Sequence, residues 1–386
     1  MKNRKGLVAV ATAVTLSFAL AACGGRGGAT EESGTAPVDG AESGASAAAG
    51  GEGTKIGIAL PKKTSQNWVE AEEMFKADCA EAKLDCTIQF ADGGAAEQQN
   101  QVAAMIENGV QVLIIGAVDG SQLGTQLAQA KAANIKVIAY DRMLTNTEDV
   151  DYYIAYDNFG VGQLQGEALL NGLKEKKGDK DKWTIELIAG SPDDANSLKF
   201  FDGAMDVLKP KIDDGTLTIG SGQAEFTQVS TQNWDPKNVQ SRMDTILNST
   251  YPGDEVMDGV LSPNDTLGRA AITSVEQAGK PLPVVTGQDS EDESVTWVVQ
   301  EKQYSTIYKD TRALVANAVK LAIAVASGDD NPELEGVTVN ETEYESTEGH
   351  PVVAYLLTPQ IVTSENAAEV YANDEHRAGL VAEAQK

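Results

Sequence analysis

The runs "KIGIAL" (residues 55–60), "VQVLIIGA" (110–117), "IKVIAY" (135–140) and "YYIAY" (152–156) put apolar side chains on both faces of an extended chain. Strands of this kind lie in a sheet only if both of its faces are covered. The intervening segments supply the covers, because "NWVEAEEMFKADCAEA", "AAEQQNQVAAMIENG" and "SQLGTQLAQAKAAN" repeat apolar residues at helical spacing. Strand and helix in alternation predict a parallel α/β sheet. After the charged break "KEKKGDKDK" a second series runs from "WTIELIAG" through "SLKFFDGAMDVLKPKI", "LTIGSGQAEF", "DPKNVQSRMDTILNS", "DGVLSPN" and "TLGRAAITSVEQAG" to "PVVTGQ". A chain of 386 residues exceeds one ordinary core, and no short repeat suggests a solenoid. The expected fold is therefore α/β, with two similar doubly wound parallel-sheet domains. A helix over 311–326 and the run "PVVAYLLTPQIVT" are left over, as if the chain returns to the first domain and crosses once more.

The first 22 residues read as a secretory leader: a basic "MKNRK", an apolar stretch too short to span a bilayer comfortably, and then "LAAC", ending at Cys23. "LAAC" resembles the lipobox of bacterial lipoproteins, in which the cysteine carries the lipid. A plain signal peptide with an incidental cysteine is the alternative. Residues 23–54 are Gly, Ala, Ser and Glu with little to bury, which predicts a flexible tether of roughly 30 Å. The expected location is the outer face of the cell membrane. The full chain carries a formal charge of −28, and loss of the leader removes three basic residues and no acids. So acidic a surface repels nucleic acid and anionic lipid alike. In an exported protein Cys79 and Cys86 form a disulfide or remain separate thiols, and a helix unbroken from 79 to 86 would hold them too far apart.

Four of the buried-looking strands end on hydrogen-bonding side chains, the first of them without an intervening turn residue: Asp141-Arg142, Asp157-Asn158, Asn264-Asp265 and Gln288-Asp289. Open parallel sheets bind ligands outside the carboxyl ends of their strands. If two such edges face each other, these groups share one cleft. Carboxylates, amides and cations suit a monosaccharide, whose hydroxyls both donate and accept, and indoles cover its C–H faces. Trp68 and Trp234, in loops, are the candidate walls. Trp183 and Trp297, in a strand and a helix, are expected in cores, as are Phe200 and Phe201 unless one of them lines the cleft. Asp157 and Asp265 are equally well explained as helix caps. "GVGQLQG" mimics a dinucleotide fingerprint but lies within a helical pattern, so it is set aside.

The motifs "VIAYDR", "YDNFGVGQLQ", "ELIAGSPDDAN", "FDGAMDVLKP", "VLSPNDTLG", "PVVTGQD" and "QYSTIYKDTR", in this order, make residues 55 to about 363 resemble the type I periplasmic-binding-protein-like sugar receptors of ABC transporters. The resemblance is strongest to the multiple-monosaccharide subgroup, with the xylose and ribose receptors more distant. It implies two lobes joined by a three-segment hinge: 55–157 plus 310–350, and 158–309 plus 351–386. It implies ligand-binding roles for Asp141, Arg142, Asn196, Trp234, Asn264, Asp289 and Lys309, with Trp68 as the first-loop aromatic. Ribose receptors carry an aromatic pair and an arginine where this chain has Asn67-Trp68 and Asn196. The implied ligands are aldoses in pyranose form, such as glucose, galactose, xylose or arabinose. The implied partner is an ABC permease with its ATPase, or alternatively a signalling or chemotaxis receptor that reads the loaded form. A monomer is expected.

A glycosidase would need one protonated and one ionised carboxyl. Arg142 beside Asp141 is expected to hold that acid charged, so no enzyme is predicted. A DNA-binding regulator of this fold is excluded by the leader and the charge. With only His350 and His376, and no complete calcium-loop spacing, neither a metal nor a cofactor is expected.

Overall fold

The computed structural model describes residues 51–63, 65–178 and 180–386. The leader, Cys23 and the tether up to residue 50 lie outside the described residues. Residues 51–54 already form a hydrogen-bonded turn, Thr54 N donating to Gly51 O at 3.0 Å, so the fold begins slightly before Lys55.

The first series folds as β1 (Lys55–Leu60), α1 (Gln66–Glu81), β2 (Asp85–Phe90), α2 (Ala95–Glu107), β3 (Val112–Ile115), α3 (Gly124–Ala132), β4 (Lys136–Tyr140) and β5 (Tyr152–Tyr156). The second continues through α4 (Asn158–Lys177), β6 (Trp183–Leu187), α5 (Ala195–Asp213), β7 (Leu217–Ile219), α6 (Phe226–Val229), α7 (Pro236–Ser249), β8 (Gly259–Leu261), α8 (Asp265–Gln277), β9 (Val284–Val285), α9 (Asp292–Val299) and β10 (Ser305–Tyr308). Then follow α10 (Thr311–Ala326), β11 (Val337–Asn340), β12 (Glu345–Thr347), β13 (His350–Pro351), β14 (Val353–Leu357), β15 (Gln360–Thr363), α11 (Ala367–Val370) and α12 (Glu375–Ala384).

Among the described residues the first sheet has the order β11-β14-β5-β4-β3-β1-β2, parallel except for β11. Strands β1, β3, β4, β5 and β14 are buried on both faces as their composition requires, whereas the edge strands β2 and β11 are partly exposed. Ile56, Ile58 and Ile114 pack under α1 and α10, whereas Leu113, Ile115 and Val137 pack under α2 and α3. The second sheet, β7-β6-β8-β9, is parallel and sits between α4-α5 and α7-α8. Tyr304 N donates to Val285 O and Asp289 N to Ile307 O, so β10 extends this sheet. β10 pairs in turn with β15.

Two expectations change. The strand read over 217–226 stops at Ile219, and 351–363 breaks into separate strands. The last crossing therefore falls between Leu357 and Gln360 and not at 350/351, because β14 pairs in register with β5, Val353 opposite Tyr152. The three crossings are bonded to one another: Tyr156 Oη donates to Asp310 O at 3.1 Å, and Asp157 N to Leu357 O at 3.0 Å. Cys79 and Cys86 form a disulfide. The helix that would have separated them ends at Glu81, and Lys83, at φ 55°, turns the chain back into β2.

The glycines of "GVGQLQG" have a packing role. A Cβ on Gly162 would stand 2.1 Å from Phe200 O, and one on Gly203 2.1 Å from Phe159 O, so α4 and α5 touch backbone to backbone. Helix propensity favours Gly203→Ala by about 1 kcal/mol, whereas overpacking costs about 1–3 kcal/mol or more. The clash wins, and G203A is expected to unfold at lower denaturant concentration than wild type; an unchanged or higher midpoint in urea would contradict the close contact.

Candidate functional site

Asp141 and Arg142 leave β4 at the carboxyl edge of the first sheet. Asp141 has φ 59°, a left-handed conformation that a non-glycine residue adopts only when its surroundings enforce it. Tyr153 Oη and Asn196 Nδ2 both donate to Asp141 O at 2.8 Å and hold it there. Asn196 stands in the first turn of α5, so this contact already joins the lobes. Arg142 turns away from its neighbour: Nη1 donates to Ala117 O at 3.0 Å, Nε lies 3.0 Å from Asp194 Oδ2, and the guanidinium sits 5.4 Å from the centre of the Trp68 ring.

The second lobe closes the space from the other side. Trp234 ends a short 3-10 turn, Gln232–Trp234, at φ 53° and donates from Nε1 to Asp194 Oδ2 at 3.2 Å. Its ring lies where a side chain on Gly190 would be, since a Cβ there would meet it at 2.1 Å. Asn264 caps α8, its side-chain oxygen accepting from Leu267 N at 2.9 Å, which leaves its NH2 to serve the cavity. Asp289 follows β9 at φ 94°. Lys309, at the second crossing, places Nζ 3.0 Å from Asp289 Oδ1 and 5.6 Å from the centre of the Phe200 ring.

Trp68, Asp141, Arg142, Asn196, Trp234, Asn264, Asp289 and Lys309, all expected from the sequence, line one cavity whose empty space, with the solvent at its mouth included, is about 530 Å³. An adjoining space of about 330 Å³, again with open solvent included, shares Trp68, Asp141, Asp289 and Lys309 with it and adds Tyr140, Tyr156, Thr311 and Leu314. The lining also includes Ser65, Asn67, Asp194, Phe200, Thr266 and Gln288. Of these, Gln288 and Asn67 belong to stretches singled out in the sequence, whereas Asp194 was passed over. Its signal was available, because it precedes α5 as a cap, accepting from Asn196 N at 3.0 Å. Gln288 Oε1 is buried without a hydrogen-bond partner among the described residues, an acceptor that asks for a donor.

Two strand-end acids serve the fold. Asp157 caps α4, accepting from Gly160 N at 3.0 Å. Asp265 is fully buried and accepts from Gln303 Nε2, Thr306 Oγ1 and Glu291 N. Trp183 is in the second-lobe core and Trp297 packs against it, as expected. Phe201 is core, and Phe200 reaches the cavity.

The expectation that Arg142 holds Asp141 charged does not hold. Burial pushes the Asp141 carboxyl above the ordinary range, and Asp194 and Asp289 push the same way. Lys309 and Arg142 oppose this without cancelling it, since the guanidinium is committed to Asp194. Burial alone would lower the Lys309 ammonium, but Asp289 and Asp141 more than offset it, and its pKa is raised. The cavity therefore presents a charged donor, carboxylate acceptors and amides that do both, between two indoles and a phenyl ring. That array matches a small polyhydroxylated ring.

Comparison with known proteins points the same way. The periplasmic binding protein domain family matches residues 56–330. The multiple sugar-binding periplasmic receptor ChvE of Rhizobium radiobacter is 42% identical over 320 residues, 82% of this chain and 88% of that receptor. The structure of an ABC transporter solute-binding protein from Clostridium phytofermentans with bound β-D-glucose superposes with a TM-score of 0.76 at 34% identity, over 84% of this chain and 99% of that one. A carbohydrate transporter solute-binding protein from Chloroflexus aurantiacus, in complex with D-glucose, gives 0.73 at 30% identity over 83% and 96%.

The burial of Asp141 has a direct readout. In the ligand-free protein its carboxyl carbon resonance is expected to titrate above the pH at which exposed aspartates do, around 4. Titration together with those aspartates would contradict the electrostatics described here.

Proposed function

The chain belongs to the periplasmic binding protein family, whose members are receptors and not catalysts, and we propose that it captures a monosaccharide, an aldose in pyranose form, between its two lobes. The observation that carries this reading is the convergence of Asp141, Asn196, Asn264, Asp289 and Lys309 from both lobes on one cavity walled by Trp68 and Trp234. Each sugar hydroxyl finds an acceptor and a donor there, and the indoles take the apolar ring faces. Both solved relatives named above hold glucose, which makes a hexose the first ligand to try.

The proposal extends to delivery. The loaded receptor passes its sugar to an ABC permease driven by an ATPase. Cys23 carries a lipid that keeps the receptor, as a monomer on a tether, at the outer face of the cell membrane. The sequence "LAAC" supports the anchor, and the likeness to ABC transporter solute-binding proteins supports the permease.

The test is thermal unfolding of the chain without its leader against glucose, galactose, xylose, arabinose, ribose and fructose. A ligand at a thousandfold its dissociation constant stabilises by about 4 kcal/mol, and glucose is expected to do so. No shift with any of the six sugars, in folded and sugar-free protein, would contradict the receptor reading. Asp141→Ala and Asp289→Ala each remove a charged acceptor and strand its partners, and each is expected to weaken glucose binding by about 3 kcal/mol, or roughly a hundredfold. Calorimetric titration showing either variant within twofold of wild type would remove that residue from the site. Affinity is also expected to fall on acidification through the raised Asp141 pKa, because protonation takes away the carboxylate acceptor.

A further inference from the structure

The first two turns of α1 have two working faces. Ser65, Asn67 and Trp68 line the cavity, while Gln66 and Glu70, one turn apart, meet the other lobe outside it. Gln66 Nε2 donates to Asp292 Oδ1 at 2.6 Å and to Glu70 Oε1 at 2.8 Å, and Asp292 N returns a bond to Gln66 Oε1 at 3.0 Å. Glu70 accepts from Arg377 Nη2 through both carboxylate oxygens, each at 3.1 Å. The two side chains are 19% and 9% exposed, a degree of burial at which an ion pair is weakly screened by solvent.

Arg377 belongs to α12 and is fixed from its own side. Nη1 donates to Asp374 Oδ2 at 3.0 Å, the guanidinium lies 5.6 Å from the Tyr308 ring centre, and Nε donates to Ser290 O at 2.9 Å. Ser290, at φ 50°, immediately follows Asp289 in a strained turn, and Tyr371 Oη donates to Ser290 Oγ at 2.7 Å. The C-terminal segment thus grips the turn that presents Asp289 and, through the same arginine, reaches across to the first lobe.

We propose that Arg377 and Glu70, with Gln66 and Asp292 beside them, form a latch outside the cavity that holds the lobes closed and so sets sugar affinity without touching sugar. The proposal rests on the receptor reading above. A contact made only in the closed state adds to the stability of the loaded form and leaves the open form untouched. Because the latch meets no hydroxyl, its loss weakens every ligand by the same factor, whereas a change inside the cavity discriminates among sugars.

Glu70→Gln is the variant of choice, since Glu70 has no other bond among the described residues apart from that with Gln66; Gln66→Ala cuts the neighbouring link and serves as the second variant. Titration calorimetry and thermal unfolding would be run with glucose, galactose and xylose, wild type first. The expected result is a loss of about tenfold in affinity, equal across the sugars that wild type binds, with the unfolding temperature of the ligand-free protein unchanged. Unchanged affinity in both variants would overturn the latch. So would equal destabilisation of free and loaded protein, which marks a purely structural pair, or a loss confined to one sugar, which marks an effect inside the cavity. Wild type that binds none of the three would overturn the receptor reading itself, and with it the latch.

Discussion

The site is organised around a nearly buried ammonium, 10% exposed. Lys309 stands 3.0 Å from Asp289 and draws on the field of Asp141, one carboxylate from each lobe. Removing such a charge from water costs several kcal/mol, and only close, opposite charges offset it. An apolar trio of similar volume would pack there at less cost, so the pair is poor evidence of stability and good evidence of a task. Lys309 is also a crossing residue, flanked by Tyr308 and Asp310. The segment about which the lobes would move is therefore the segment that holds the cation.

Strain accompanies the charge. Asp141, Trp234 and Asp289 all have positive φ, a conformation that costs non-glycine residues of order 1–3 kcal/mol each. Each is held by its surroundings: Asp141 by Tyr153 and Asn196, Trp234 by Asp194 and the bare backbone of Gly190, Asp289 by Lys309 and by the Ser290 turn that Arg377 and Tyr371 grip. The contacts that hold these residues thus extend from the cavity to the C-terminal helix, and the contacts between lobes lie on both sides of it.

Much of this was legible in the sequence because parallel sheets write clearly. Strands apolar on both faces and strand ends carrying Asp-Arg, Asn and Gln-Asp identify the architecture and its functional edge. The family resemblance added Asn196 and Lys309, which no periodicity singles out. Other features were hidden for physical reasons. Whether Asp157 caps a helix or faces a ligand depends on a rotamer, and Asp265 does neither, because Asn264 takes the cap of α8 and the Asp265 carboxylate is buried against Gln303, Thr306 and Glu291. Asp194 is one of two adjacent acids in "SPDD", and which of them faces inward is decided by the start of α5. The electrostatics of Asp141 were misjudged because adjacency in sequence is not proximity of charge: Arg142 points to Asp194. The final crossing was misplaced because "PVVAYLLTPQIVT" reads as one strand, yet its two halves pair with different sheets. The latch could not be read at all, since Glu70 and Arg377 are 307 residues apart.

The measurement that bears most directly on the account is the crystal structure of this chain grown with saturating D-glucose. One pyranose ring is predicted between Trp68 and Trp234, with Asp141, Asp289 and Lys309 within hydrogen-bond distance of its hydroxyls and Gln288 Oε1 accepting from one of them or from a water it orders. An empty cleft at saturating glucose, or sugar density anywhere else on the protein, would contradict it.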